Sequence, residues 1–235
     1  MILIFDLDDT LYDESTYVRS GFRAVAKFGE QRFGWNEDES YSHMKKLLLE
    51  NGRGFIFDDW LKSHSRHSKS LVEACLRIYR HHEPTIKIRK ETRILLESFQ
   101  AKYPLYIVTD GHKVVQKKKV DALNIDYLFK RVYITHRFGI HNAKPSLHCF
   151  NLIKSAERVE WEEMVYVGDN PTKDFINLNR AGAKTIRVLT GTYSDMHALP
   201  NYDAQISIPN LQTLNSNMLN EIGNCDLYRS SINSK

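Results

Sequence analysis

Ile2-Leu3-Ile4-Phe5-Asp6-Leu7-Asp8-Asp9-Thr10 follows the initial methionine, and the reading of this stretch decides the fold. A short apolar run that breaks at once into acids predicts a buried strand with a polar loop at its carboxyl end. Similar runs recur at Leu105 to Val108, Val132 to Ile134, Met164 to Val167, Thr185 to Val188 and, more weakly, Ala204 to Ile206. All but the last lead into polar or glycine-bearing turns followed by helical patterns. Continuous apolar strands alternating with helices predict an α/β fold, a Rossmann-like parallel sheet covered on both faces. Ligands of such sheets sit beyond the carboxyl ends of the strands. That rule directs attention to Asp6 to Thr10, Thr109 to Lys113 and Gly168 to Asp174.

Between the first two strands lies far more chain than a crossover requires. Val18, Phe22, Val25 and Phe28 recur at helix spacing there, as do Met44, Leu47 and Leu48, then Leu71, Ala74, Cys75, Ile78 and Tyr79. Asn51-Gly52-Arg53-Gly54 breaks the pattern. The expected organisation is a catalytic core of residues 1–12 and 88–223, an inserted α-helical cap at 13–87 lying over the strand ends, and a polar, flexible tail at 224–235.

Composition narrows the function classes. Of 235 residues, 42% are hydrophobic, enough for a real core. The 33 basic against 29 acidic side chains leave a net charge of +4, too small an excess to argue for nucleic acid, although a basic pocket for a phosphate ester fits it. The apolar stretch before Asp6 is too short for a signal peptide or a membrane span. Cys75, Cys149 and Cys225 are far apart and match no metal-binding spacing. A cytoplasmic protein without membrane partners is the expectation. His64, His67, His81 and His82 match no zinc spacing either and read as residues of solvated helix faces.

Four segments can carry chemistry. In an extended chain Asp6 and Asp8 point to the same side, so one can serve as nucleophile or metal ligand and the other as acid/base; an acidic turn capping a helix has the same composition. Thr109-Asp110-Gly111 places a hydroxyl at a strand end before a glycine turn into a helix, where main-chain N–H groups favour a phosphate, though it is also an ordinary turn. Lys144, ahead of Pro145 in a first helical turn, can neutralise a phosphoryl group, or be plain surface. Leu147, Phe150 and Leu152 are the apolar positions of that helix. Asp169 and Asp174 flank a tight turn after an apolar strand, and hard carboxylate oxygens suit Mg²⁺.

In order, these segments resemble the four motifs of the haloacid dehalogenase (HAD) superfamily: DxDx(T/V), a Ser/Thr at a strand end, a Lys, and GDxxxxD. The insertion after the first motif is similar to that family's C1-type helical cap. The resemblance implies roles. Asp6 attacks phosphorus to form an aspartyl-phosphate. Asp8 protonates the leaving oxygen and then activates water. Mg²⁺ is held by Asp6, the main-chain carbonyl of Asp8 and Asp169, with Asp174 supporting the site. Thr109, the amides of Asp110 and Gly111, and Lys144 hold the transferring group. Asp110 stands where relatives often have Asn.

The resemblance also separates activities. Family dehalogenases and phosphonate hydrolases lack the acid/base found here as Asp8. Phosphomutases keep both aspartates, so they stay open beside hydrolysis. Non-enzymatic binding modules of this fold usually lose a motif residue, and none is lost here. The segment from Thr109 to Asn124 and the Lys144 region look most similar to the sialic-acid-phosphate phosphatase and nucleotidase-like branch. The expected substrate is a small-molecule phosphate ester, a sugar or nonulosonate phosphate first and a nucleoside monophosphate second. Arg53 is the candidate for binding a carboxylate or second anionic group, against the reading of a plain turn with an exposed arginine. Phe57 and Trp60 are expected to pack the cap's own core.

Overall fold

The structure, a computed structural model, describes residues 1–224. Cys225 and, apart from Asn224, the expected tail lie outside the described residues. Six strands form one parallel sheet: β1 (Ile2–Phe5), β2 (Leu105–Thr109), β3 (Arg131–Ile134), β4 (Met164–Gly168), β5 (Lys184–Val188) and β6 (Ile206–Ile208). Their order is β3-β2-β1-β4-β5-β6, with every pair parallel.

The helices are α1 (Glu14–Phe33), α2 (Glu37–Asn51), α3 (Ile56–Ser63), α4 (Lys69–His81), α5 (Lys90–Gln100), α6 (Lys113–Leu123), α7 (His148–Glu157), α8 (Ile176–Ala181) and α9 (Ser216–Asn224). None of the described helices is long and apolar enough to cross a membrane.

β1 is buried along its whole length, as a strand covered on both faces must be. Alternation divides the sheet residues between two layers. Ile2, Ile4, Tyr106, Val108, Met164 and Tyr166 share one cluster with Cys149, Phe150 and Ile153 of α7 and with Phe175 and Leu178. Helix α7 therefore turns Ile153 inward, whereas Leu152, expected on the apolar face, is partly exposed. Pro145 also falls outside the helix, which begins only at His148; it lies in a turn that Ser146 closes, its main-chain N–H donating to the Ala143 carbonyl at 2.9 Å.

The sixth strand runs Ile206–Ile208, later than the sequence pattern suggested. Side chains capture the donors ahead of it: the Ala204 amide donates to Asp203 Oδ1 at 2.9 Å and the Gln205 amide to Thr185 Oγ1 at 3.1 Å.

The chain divides into two compact units. The first comprises Met1–Asp13, Ile88–Gln116 and the chain from Asn124 onward, and holds the sheet. The second comprises Glu14–Lys87 and Lys117–Leu123. The latter stretch, the end of α6, was expected with the core. It counts with the second unit because Lys119 bonds Glu14 Oε1 at 3.1 Å and lies over the Tyr17 ring, while Lys118 pairs with Glu83.

The second unit has its own core of Val18, Phe22, Val25, Met44, Leu47, Phe57, Trp60, Leu61 and Cys75. Asn36 and Ser68 cap α2 and α4, each side-chain oxygen accepting a main-chain N–H. Phe57 and Trp60 pack that core as expected, from α3, a short helix the sequence pattern had not resolved.

Candidate active site

The carboxyl ends of β1, β2 and β4 are flush. Phe5 is in register with Ile107 on one side and Val167 on the other, and the Asp6 amide donates to the Val167 carbonyl at 2.8 Å. Asp6 thus emerges beside Gly168-Asp169, with Thr109 next along the sheet edge. Asp6, Asp169 and Asp174 are buried together, and oxygens of all three lie within 4.8 Å of one another. Gly168 makes room for this: a Cβ there would fall 2.5 Å from Asp174 Oδ2. The Asn170 amide donates to the same Oδ2 at 3.0 Å and fixes the carboxylate.

Lys144 reaches into the cluster. Its ammonium donates to Asp6 Oδ1 at 2.8 Å and to the Tyr166 hydroxyl at 2.8 Å, and lies 2.7 Å from Asp174 Oδ1. Tyr166 donates in turn to Asp174 Oδ1 at 3.2 Å. Burial pushes the Asp6 carboxyl up to about 7; Lys144 opposes that rise and Asp174 adds to it. Asp169 is pushed up to about 9 by burial, then by Asp6 and Asp174. Burial works against the charge on Lys144, but Asp174 and Asp6 together hold its ammonium well above the ordinary lysine range. Two acids share one buried ammonium, and a third, Asp169, lies beside them. Hard oxygens at this spacing, with acid in excess, fit a divalent cation such as Mg²⁺.

Asp8 stands outside that trio. Tyr12 donates to its Oδ1 at 2.7 Å and Gln116 Nε2 to its Oδ2 at 2.8 Å. The same Gln116 nitrogen donates to Thr109 Oγ1 at 2.6 Å, which ties the second motif to the first. A part for Asp8 in metal binding therefore rests on its main-chain carbonyl, as the family pattern implies. Gly111 has φ +134, and a Cβ there would come within 3.2 Å of Gln116, so this turn needs glycine.

Asp110, expected at the phosphate, uses its carboxylate to join segments. Thr135 Oγ1 donates to Oδ1 at 2.7 Å, the Lys144 amide to the same oxygen at 3.1 Å, and Lys173 Nζ to Oδ2 at 3.0 Å. Burial raises this carboxyl, but Lys144, Lys173 and the hydrogen bonds outweigh it and hold it below the usual range. What Asp110 retains for a phosphate is its main-chain N–H.

Arg53 follows α2 in a turn, with an exposed guanidinium paired to Glu14. Both belong to the second unit, where Lys119 binds the other oxygen of Glu14 at 3.1 Å.

Sequence reasoning missed Tyr166, Gln116, Lys173, Thr135 and Tyr12. A tyrosine in an otherwise aliphatic buried strand is itself a signal, because its hydroxyl needs a partner. Gln116, among the lysines of α6, gave none.

The family model for haloacid dehalogenase-like hydrolases matches residues 3–188. The chain belongs to this family. Among curated proteins, the hydrolase is 29% identical over 201 residues to the glyceraldehyde 3-phosphate phosphatase of Methanocaldococcus jannaschii, covering 83% of this chain and 87% of that one. It is 29% identical over 205 residues to the protein of the same name from Methanopyrus kandleri, covering 83% and 86%. Among solved structures, its fold is similar to that of the HAD-hydrolase YfnB from Bacillus subtilis bound to magnesium, with a TM-score of 0.66, 21% identity, and 95% and 98% of the two chains covered.

Proposed function

We propose that this hydrolase is a Mg²⁺-dependent phosphatase that cleaves a small phosphate monoester through an aspartyl-phosphate on Asp6. The observation that carries the reading is Asp6 itself: a carboxylate at a strand end, anchored through one oxygen by Lys144 and grouped with Asp169 and Asp174. The unanchored oxygen is the one to attack phosphorus. Asp8, oriented by Tyr12 and Gln116, gives a proton to the leaving alkoxide. It then takes one from the water that cleaves the acyl phosphate, regenerating Asp6. Asp6, Asp169 and the main-chain carbonyl of Asp8 would hold the ion, with Asp174 beside them. When bound, Mg²⁺ supplies positive charge that offsets the repulsion between a carboxylate nucleophile and a phosphate dianion.

The substrate reading is a small sugar phosphate, with triose phosphates tested first. The names of both curated relatives support that choice, and it lies within the sugar-phosphate class that the motifs suggested. Residues 13–87 serve as the cap in this reading, and Arg53 is its candidate for a second anionic group of the substrate. Phosphomutase activity is the second reading, since both Asp6 and Asp8 are present. The test is phosphate release from triose phosphates, other sugar phosphates, nonulosonate phosphates and nucleotides, with Mg²⁺ or with a chelator. Mg²⁺-dependent release from one class supports the reading. Isomerised phosphate esters without release point to a mutase, and neither outcome with any ester refutes the phosphatase.

A further inference from the structure

The first unit holds a cavity of about 460 Å³ that none of Asp6, Asp8, Thr109, Lys144, Asp169 or Asp174 lines. Its walls come from the loop after β1, the start of α5, the loop after β5 and the turn after β6. Small-molecule sites usually span roughly 300–1,000 Å³, so the space suffices for a metabolite of a few carbons. The wall reaches the first motif through Tyr12, which donates to Asp8 Oδ1 at 2.7 Å.

The walls are rich in hydrogen-bond donors. Helix α5 opens at Arg89, which gives it no side-chain cap. The N–H groups of Lys90, Glu91 and Thr92 thus lack the acceptor that Asn36 gives α2 and Ser68 gives α4. Arg89 is exposed, and no carboxylate among the described residues pairs with its guanidinium. Thr10, in the opposite segment of the wall, is an independent sign. It is only 7% exposed, and its hydroxyl has no hydrogen-bond partner among the described residues, a cost that a bound acceptor would relieve. Thr92 is buried too; its oxygen accepts from Gln212 Nε2 at 2.7 Å, which leaves its hydroxyl hydrogen to donate.

The acids of the wall limit the charge of an occupant. Asp9 builds the wall itself: its carboxylate accepts the Thr192 amide at 3.2 Å, and its main-chain carbonyl accepts the Thr190 hydroxyl. One guanidinium and one helix start, with Asp9 and Asp13 nearby in the lining, match a single negative charge better than a phosphate dianion. Ser194 and Asn210 suit hydroxyl groups, and Leu11 and Leu189 suit a short carbon chain. We propose that this cavity binds a small hydroxycarboxylate, its carboxylate held by the Arg89 fork and the first turn of α5. The site is separate from the phosphatase reading and would stand even if the protein cleaved no ester.

The experiment is calorimetric titration of the full chain with glycerate and gluconate, beside glycerol and glucitol, the matching alcohols without a carboxylate. At least one acid should bind at millimolar concentration, and neither alcohol should. Arg89→Met should weaken that binding by roughly ten- to hundredfold, the loss of a charge-assisted contact. Arg89→Lys should weaken it less, since the charge stays and only the fork is lost. Ser194→Leu, which fills the cavity from the loop after β5, should weaken it with Arg89 intact. Arg89→Gln repeats the comparison if the methionine variant melts early. An acid bound by Arg89→Met as tightly as by wild type overturns the proposal. So do alcohols bound as tightly as the acids, or a wild type that binds neither acid at millimolar concentration. Inorganic phosphate bound more tightly than the acids, in a manner that depends on Arg89, overturns the choice of a carboxylate.

Discussion

Asp6 and Glu14 are both acids drawn out of water and held by a lysine, yet their surroundings push them in opposite directions. Around Asp6, two carboxylates share the Lys144 ammonium with a third, Asp169, beside them, and burial lifts the Asp6 carboxyl to about 7. Around Glu14, one carboxylate meets two cations, Lys119 and Arg53. Burial works to raise Glu14 as well, but Lys119 and then Arg53 bring it down to about 2. The ingredients are the same and the ratio is reversed. A cluster with cations enough for its acids stabilises the fold. A cluster with acid in excess costs stability, and that excess suits it to bind a divalent ion and a substrate.

Asp6→Asn breaks this comparison most sharply. Removing the nucleophile should lower kcat/KM on the order of 10⁴-fold or more. Without Mg²⁺ the melting temperature should hold or rise, because one of three mutually repelling acids is gone. A variant that loses both activity and folding would show that Asp6 is structural and erase the distinction.

Glu14→Gln is the converse. It removes the negative charge that Glu14 presents to Lys119, whose side chain is 3% exposed. The expected loss is about 2–4 kcal/mol of unfolding free energy, read from urea denaturation. Unchanged stability would mean that the Glu14 cluster is not the completed counterpart of the Asp6 site.

The two clusters were not equally legible in the sequence. Asp6, Asp169 and Asp174 follow apolar strands, so strand order and the strand-end rule bring them together; the first five strands announced themselves by their apolar runs, whereas the sixth lies two residues later than its weak pattern suggested. Nothing local marks Glu14 as more than a helix-start acid, because its partners lie |i−j| = 39 and 105 away. Lys144 could be placed at the site but not oriented. Its choice of carboxylates depends on Tyr166, which reads as core, and on Asp110, whose carboxylate looked like part of a phosphate loop. Short-range periodicity reports which face is buried; it does not report which polar atoms meet across the fold.

The same contrast predicts two limbs of a pH profile. Glu14 is held below its unfolded value of 4.5, at about 2. Its contribution is present above 4.5 and is lost as pH falls toward 2, where the unfolded chain takes up the proton first. That acid limb, worth about 3 kcal/mol, should flatten in Glu14→Gln. Asp6 and Asp169 are raised from 3.8 to about 7 and about 9. Their protonated forms favour the fold, so stability without metal should fall as pH rises from about 4 through 7 toward 9. Millimolar Mg²⁺ should remove most of that alkaline decline, and Asp169→Asn should blunt both the decline and its rescue. Thermal melts across pH, with Mg²⁺ or with a chelator, check both limbs. A Mg²⁺ effect confined to the acid limb would contradict the assignment.

Tyr166→Phe should give the smallest effect and test the comparison most finely. The substitution keeps the ring, which packs edge-on against Phe150, and deletes only the hydroxyl that accepts from Lys144 and donates to Asp174. Lys144 then keeps its two carboxylates but loses the neutral oxygen that fixes the third N–H. If the ammonium serves to hold the carboxylates, the loss is one of alignment. kcat should fall about tenfold or less, KM should stay within about twofold, and stability should drop by about 1 kcal/mol, the usual worth of one buried hydrogen bond. A KM rise larger than the fall in kcat would show that the orientation of Lys144 matters more for binding the ester than for aligning the nucleophile. Steady-state kinetics of Tyr166→Phe beside wild type separate these outcomes, since alignment of the nucleophile is read in kcat and the hold on the ester in KM.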